Sequence, residues 1–341
     1  MRDEDEGRAA ALSSAKPAAT TELESRLQAS CCCFRARKEL KSSPEVGSPP
    51  RPRPHLTNRF RMPAISPAAI PAFLSRLSSR LAASPAAPPP TAFILPLVAA
   101  TTLSHGKTWL KPCIDLAFSS CPPRPSPIPY EPPHPLDDAS LHPRRFAVSQ
   151  IKEALFKSSI LIGVPKAIET LLELGDVVEE EDMSKAFVRS ELSLPEQTVT
   201  ERWVNGQDGL RSVYQDQLDD IFTLMAKLGL EDLEHISQCV TYGTFLTPYS
   251  TRASSSPTPD PLAHDPKLLS VVTLSALIPQ RTEREILWHL RGAIRRGWKR
   301  DEVEKLQASV EEVCEACGVE DVGRGMPRVA DVERLPEEEH S

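Results

Sequence analysis

The chain has 341 residues, eight cysteines and a formal net charge of −7 at pH 7. This mildly acidic balance argues against a nucleic-acid interface, which needs a concentration of Lys and Arg on one face. Three cysteines are adjacent at Cys31 to Cys33 and no secretory signal precedes them, so we expect reduced thiols rather than a disulfide framework. The longest apolar stretch, Thr91 to Leu103, is too short to cross a bilayer, and we predict no membrane span.

Proline divides the chain unevenly, because 24 of the 34 prolines lie in the first 150 residues. Proline lacks a backbone N–H and blocks helix interiors, so a dense run of it cannot form a packed core. We predict that residues 1–61 are disordered, or that they are a gene-model extension preceding a true start at Met62. About 190 residues remain from Arg145 onward, which is enough for one substantial core.

Residues 62–118 are predicted to be largely helical, with two interpretations of their beginning. The segment from Met62 is rich in Ser and Ala, carries Arg76 and Arg80, and lacks acids, which is typical of a mitochondrial transit peptide. Alternatively, PAFLSRLSSRL is the first amphipathic helix of the folded domain, since its apolar residues recur at helical spacing. The predicted location is accordingly mitochondrial or cytoplasmic.

The next segment, residues 119–144, is proline-rich and predicts an extended linker. A helical domain is predicted over residues 145–335, where alternating strand patterns are nearly absent and the fold class is all-α. Apolar periodicity, with Pro165 as an opening residue and Gly175 as a stop, predicts helices over 146–162, 165–174, 182–191, 210–228, 230–245 and 267–277.

The segment Gln280 to Val303 is the most informative part of the chain. It predicts an amphipathic helix in which Thr282 and Glu285 form a capping box. His289 lies at the margin of the apolar face, one turn after Glu285, and Gly292 on the same side would let a second backbone come close. A histidine beside a carboxylate is a candidate for proton transfer near neutral pH.

Several segments together resemble the carboxymuconolactone decarboxylase family within the AhpD-like superfamily. They are GVPKAIETLLEL, VYQDQL, TYGTFL, LLSVVTLSALIPQ and WHLRGAIRRGWKRDEV, and the resemblance is strongest to divergent fungal members of unassigned activity. It covers most of residues 146–318. It implies an all-helical domain with a pocket between helices, assembled as a homo-oligomer that is a trimer or a hexamer.

The resemblance also bears on chemistry. In the peroxidase-linked branch, the corresponding helix carries a Cys-x-x-Cys followed by a histidine four residues later. His289 matches that histidine, but Thr282 and Glu285 stand at the cysteine positions, and the supporting glutamate falls at Ser270. The resemblance therefore implies decarboxylase-like or unassigned lyase chemistry, without cofactor or metal, rather than peroxide reduction.

Four residues are candidates for the site, and each has a structural alternative. His289 is a catalytic acid–base or a histidine packed at a helix edge. Glu285 is its catalytic partner or only a capping residue. Tyr242 directs its hydroxyl into a pocket or packs in the core. Arg291 binds a substrate carboxylate or is an exposed helix arginine.

A second cysteine pattern, Glu311-x-x-Cys314-x-x-Cys317, reproduces the redox signature of the family one helix too late. Asp321 stands where a histidine should follow, and both cysteines fall on an apolar helix face. We predict that they are buried as small hydrophobic residues. No second ligand pair is spaced for zinc.

Two function classes remain open at the level of sequence. The first is a cofactor-free lyase acting on a small carboxylated molecule, with His289 as acid–base. The second is a catalytically degenerate helical domain that serves as an oligomeric binding or scaffold module, and a peroxide-related oxidoreductase is a third. A solvent-connected cavity beside His289 with a second polar group in reach favours the enzyme, whereas apolar packing around it favours the module.

Overall fold

The computed structural model describes residues 64–82, 88–122, 142–185, 188–189, 199–215, 217–247, 260–263 and 265–334. All of them lie in the second of the two units into which the chain divides, Arg59–Ser341. The predicted disordered segment 1–61 and most of the predicted linker fall outside the described residues. Every regular element within the described ranges is helical and none is a strand, which confirms the all-α class.

Twelve α-helices and one π-helix make up most of the described fold. In chain order they are α1 (Ile70–Leu81), α2 (Thr91–Thr102), α3 (Gly106–Phe118), α4 (Pro143–Ile162), α5 (Val164–Leu172), α6 (Leu174–Val177), α7 (Val199–Tyr214), α8 (Gln217–Lys227), α9 (Glu231–His235), the π-helix (Ile236–Leu246), α10 (Pro266–Leu277), α11 (Glu283–Arg295) and α12 (Arg300–Ala316). None of these helices is both long enough and apolar enough to cross a bilayer.

The centre of the core is formed by α2 and α10. Every residue of α2 is buried, and so are ten of α10, because both helices are apolar on all sides. Around them, α4, α11 and α12 each contribute an apolar stripe, with Ile151, Leu290 and Val310 fully buried. A smaller apolar cluster lies beside this core, between α7, α8, the π-helix and α11.

Helix α1 packs into the same core as the later helices. Leu74 and Leu77 are buried, and the ring of Phe73 meets that of Trp109 edge-on with centroids 5.6 Å apart. At its end, Arg80 Nη2 donates to Glu312 Oε2 of α12 at 2.6 Å. This packing favours the interpretation of PAFLSRLSSRL as a helix of the folded domain, while the location of the protein stays a prediction.

Helix α7 and the π-helix approach each other through glycine. A Cβ atom at Gly206 would lie 1.9 Å from the carbonyl oxygen of Gln238, and one at Gly243 would lie 2.4 Å from that of Arg202. Since no side chain fits at either position, the two backbones are in direct contact. This contact fixes where the π-helix presents its side chains.

Several predicted helix boundaries are wrong. The single helix predicted over 210–228 is interrupted after Tyr214, where Gln215 has a φ of 45° and α8 begins anew. The helix predicted over 182–191 is absent from residues 183–185, which follow a short 3-10 turn. Gly175 does not stop a helix but lies inside α6, and the segment 230–245 is a short α-helix that continues as a π-helix.

Candidate functional site

A cavity of about 160 Å³ lies within the smaller apolar cluster, between α7, α8, the π-helix and α11. Most of its wall is apolar, and several lining residues on α8, the π-helix and α11 are only partly buried, which places the mouth among these three helices. The lining residues are Leu161, Leu210, Tyr214, Leu218, Ile221, Phe222, Met225, Ser237, Thr241, Tyr242, Leu246, Leu277, Glu285, Trp288 and His289.

Three of the four residues predicted from the sequence, His289, Glu285 and Tyr242, share this cavity. Tyr214 joins them; it lies in the VYQDQL segment but was not selected as a site residue from the sequence. Its ring lies 6.4 Å from that of Tyr242, 6.4 Å from the imidazole of His289 and 5.3 Å from Trp288, centroid to centroid. Tyr214 is therefore the centre of the polar group.

Helix geometry explains why these side chains converge. Glu285, Trp288 and His289 are spaced by three and four residues on α11 and so lie on one face. The opposite wall comes from the π-helix, whose bonds run from residue i to i+5, as between Thr247 N and Tyr242 O at 3.0 Å. Its wider turn brings residues 237, 241, 242 and 246 to the cavity side.

Two buried polar atoms in the cavity have no hydrogen-bond partner within the described part of the chain. They are Nδ1 of His289 and the hydroxyl oxygen of Tyr242, on residues that are 3% and 4% exposed, although the Tyr214 hydroxyl lies close enough to that of Tyr242 to lower its pKa. Buried polar groups are nearly always paired, and an unpaired one costs stability. Two such atoms on one small cavity indicate a place for a ligand oxygen or nitrogen.

The cavity shifts its ionisable groups toward their neutral forms. Burial and, to a lesser extent, the nearby Arg296 guanidinium lower the pKa of His289 to about 3. Burial raises the pKa of Glu285, although the Tyr214 hydroxyl opposes that rise. Burial also raises the pKa of Tyr242 to about 12, against the opposing charge of Arg296. The expectation that His289 titrates near neutral pH is therefore wrong, because its charged form is desolvated.

Arg296 is a further residue that the sequence analysis did not select. Its Nη2 lies 3.2 Å from Ser212 Oγ and its Nη1 lies 3.5 Å from Ser270 Oγ, so two serines hold the guanidinium behind the polar groups of the cavity. Ser270, which occupies the position of the family's supporting glutamate, is fully buried. The charge of Arg296 acts on both His289 and Tyr242.

The predicted capping box at the start of α11 is not formed. Thr282 makes no side-chain cap, and its hydroxyl donates instead to the carbonyl oxygen of Leu277 at 3.4 Å. Glu285 lines the cavity and interacts with Tyr214. Capping therefore does not account for the glutamate, which removes its structural alternative.

Arg291 lies outside the lining of the cavity. Its guanidinium is buried, with Nε 2.6 Å from Glu333 Oε1 and Nη1 2.7 Å from Gln217 Oε1. The exposed position expected from the sequence is therefore wrong. Because both partners come from the protein itself, Arg291 ties the C-terminal segment to α8 rather than facing a substrate.

Cys314 and Cys317 are buried, as predicted. Burial raises the pKa of both thiols, that of Cys317 to about 12, so neither carries much reactive thiolate at neutral pH. No group of three or more His, Cys, Asp or Glu side chains suited to a metal ion occurs within the described ranges.

A buried charge cluster supports the far end of the π-helix. Lys157 is 1% exposed, and its Nζ lies 2.8 Å from Asp260 Oδ2 and 3.2 Å from Glu153 Oε1. Arg189 pairs with the same glutamate at 2.6 Å. The two cations also donate to the last carbonyls of the π-helix, Lys157 to Phe245 at 3.0 Å and Arg189 to Thr244 at 2.9 Å. The cluster thereby caps the helix that presents Tyr242.

The fold and the cavity together define an all-α protein with a partly open cavity of small-molecule size. Comparison with protein-family models, with curated proteins and with solved structures gives no match. Membership of the carboxymuconolactone decarboxylase family therefore stays a prediction.

Proposed function

We propose that the protein is a cofactor-free lyase of the decarboxylase type that acts on a small carboxylated molecule in the α7–α11 cavity. The observation that carries the proposal is the convergence of four polar side chains, Tyr214, Tyr242, Glu285 and His289, in one apolar cavity. An apolar pocket with a few convergent polar groups of perturbed pKa is the usual form of an enzyme site.

The chemistry that fits these groups is the decarboxylation of a β-oxo acid. The bond between the α-carbon and the carboxylate breaks, CO₂ leaves, and the electron pair moves onto the ketone oxygen as an enolate. The hydroxyls of Tyr214 and Tyr242 are donors for that developing oxyanion, in a cavity where such bonds are stronger than in water. One proton on the α-carbon of the enolate gives the neutral ketone; if the oxygen is protonated first, the enol loses its O–H proton as the α-carbon gains one.

The pKa shifts give two residues different roles. Glu285 has a raised pKa and is the better proton donor, whereas His289 stays neutral at pH 7 and, as a weak base, serves as a hydrogen-bond acceptor. The roles are thus a glutamic acid proton donor and a histidine hydrogen-bond acceptor. Arg296 favours the developing negative charge on the tyrosine side, as its effect on the pKa of Tyr242 indicates.

The test is CO₂ release from acetoacetate and benzoylacetate by the purified chain. We expect Glu285→Gln and His289→Ala each to lower the rate by roughly 10²-fold or more, the usual contribution of a positioned acid or base. Matched controls are the exposed residues Glu304→Gln and His235→Ala, which leave the rate unchanged. Wild-type rates in both cavity variants, or no release from either acid by the wild type, would contradict the proposal.

A second candidate is a catalytically degenerate module that binds or scaffolds as a homo-oligomer. It is favoured by large apolar side chains that stay exposed along α8, α9 and the start of the π-helix: Leu224, Leu228, Leu233 and Ile236. Exposed apolar patches mark interaction surfaces. The module hypothesis expects self-association in sedimentation analysis, its loss in Leu228→Glu, and no CO₂ release by either form.

A further inference from the structure

We infer that the floor of the cavity, meaning the part lined by the buried side chains of Tyr214, Tyr242 and His289, binds one planar ring. The ring bears an uncharged hydroxyl or carbonyl oxygen, as in a phenol or an aryl ketone. The inference rests on the proposed function and assigns the class of its substrate: a ring-bearing β-oxo acid whose ketone faces the floor. It follows from the size, the walls, the orphan polar atoms and the charge of the cavity.

The size of the cavity sets the first limit. Its volume of about 160 Å³ matches an apolar protein cavity of roughly 150 Å³ that binds benzene. One six-membered ring with a small substituent fills this space, and a larger ring system does not fit. The remainder of a larger substrate therefore has to extend through the mouth.

The walls favour a flat ligand. Trp288 and Tyr214 meet edge-on at 5.3 Å, and Phe222 lines the same space. Aromatic rings that pack in offset or edge-to-face geometry stabilise each other by more than their buried area alone would give. Leu210, Leu218 and Leu246 complete an apolar surround with no polar atoms of their own.

The unpaired polar atoms specify one oxygen. The Tyr242 hydroxyl can donate a hydrogen bond, and Nδ1 of His289 can accept one when the proton is on the other ring nitrogen. A ligand hydroxyl has both capacities, since it can accept from a tyrosine and donate to an imidazole. An enol is such a hydroxyl, so the group that fits a phenol also fits the product of decarboxylation.

The lining offers an anion no direct cationic partner on the floor. No Lys or Arg is among the lining residues; the guanidinium of Arg296 is held by Ser212 and Ser270 behind them, and that of Arg284 lies 5.9 Å from the centroid of the Trp288 ring. A carboxylate on the floor would lie beside Glu285 without a charged partner. Ser237 and Thr241 are only partly buried, which leaves room at the mouth for the carboxylate to stay in contact with water.

The experiment is calorimetric titration of the full chain with phenol, acetophenone, benzene and benzoate at neutral pH. We expect phenol and acetophenone to bind, with benzoate weaker by roughly tenfold or more. Tyr242→Phe should weaken phenol by about tenfold, the value of one hydrogen bond to a buried group, and leave benzene unchanged. The control His235→Ala should bind all four ligands as the wild type does.

Three outcomes would overturn the inference: benzoate binding as tightly as phenol, equal weakening of phenol and benzene by Tyr242→Phe in a chain that keeps its helical circular dichroism, or no binding of phenol and acetophenone. Its failure is distinguishable from failure of the proposed function. If phenol binds but benzoylacetate is not turned over, only the proposed lyase function is contradicted. If benzoylacetate is turned over and benzoate competes as well as phenol does, only the inferred substrate class is contradicted.

Discussion

The burial of His289 predicts a specific acid sensitivity of the folded state. An unfolded histidine has a pKa near 6.5, whereas burial lowers the folded value to about 3. Between these two values the unfolded chain takes up a proton that the folded chain refuses. Stability is therefore full above about pH 6.5 and falls as the pH drops through this window, by up to about 1.4 kcal/mol per unit.

The change is His289→Gln, which removes the titrating group and keeps a polar side chain of similar length. Integrating the proton uptake from about pH 7 to about pH 5, the wild type should lose about 2 kcal/mol more free energy of unfolding than the variant. Glu285 has a raised pKa, so its contribution has the opposite sign and grows in acid. Glu285 is present in both proteins, so its contribution cancels when the pH dependence of the variant is subtracted from that of the wild type.

The assay is urea unfolding at both pH values, followed by circular dichroism. The absolute stability of the variant is immaterial, since only its dependence on pH is compared with that of the wild type. His235→Gln, at an exposed position of α9, is the matched control and should show the full wild-type loss. Equal losses in the wild type and in His289→Gln, within about 0.5 kcal/mol, would refute the assignment of His289 as a buried neutral imidazole.

Three further predictions concern packing, the charge cluster and the thiols. Gly206→Ala should destabilise the fold by about 3 kcal/mol or more in urea unfolding, because its Cβ would meet a π-helix carbonyl at 1.9 Å, while Gly175→Ala, with nothing within 4 Å, should stay within about 1 kcal/mol of wild type. Lys157→Met should lower the free energy of unfolding by roughly 3–5 kcal/mol, because two buried carboxylates, Glu153 and Asp260, each lose a cationic partner. Lys305→Met, in an exposed pair, should lower it by less than about 1 kcal/mol, and similar losses in the two variants would contradict the role of the cluster. Cys317 should resist a thiol-reactive dye in native protein at about pH 8 and react only after unfolding, so prompt native labelling would show that its burial is incorrect.

The sequence by itself determined the helical class and the positions of the strongest helices. The predicted segments 146–162 and 267–277 lie within α4 and α10, because a proline at the start and a continuous apolar pattern specify a helix locally. Local spacing also identified half of the candidate site. Residues 285 and 289 are one turn apart, so they share a face in any helix that contains both.

The tertiary structure alone decided which side chains contact the face of α11 that carries Glu285 and His289. Tyr214 reaches the cavity because α7 crosses the π-helix at two glycines, and Arg296 lies behind the lining because two serines hold its guanidinium. No local pattern encodes either arrangement. The sequence pattern predicts an exposed position for Arg291, but in the folded chain its guanidinium is buried and paired with Glu333. A π-helix likewise has no sequence period of its own that differs clearly from an α-helix.

The protonation states of Glu285 and His289 show most clearly what the sequence determines and what the tertiary structure decides. The spacing of Glu285 and His289 indicated a pair that shares a proton near neutral pH. In the folded chain, burial raises the pKa of Glu285 and lowers that of His289, so each group favours its neutral form. Sequence determines which ionisable groups are neighbours along a helix, but a pKa depends on the water that the whole fold removes from around them.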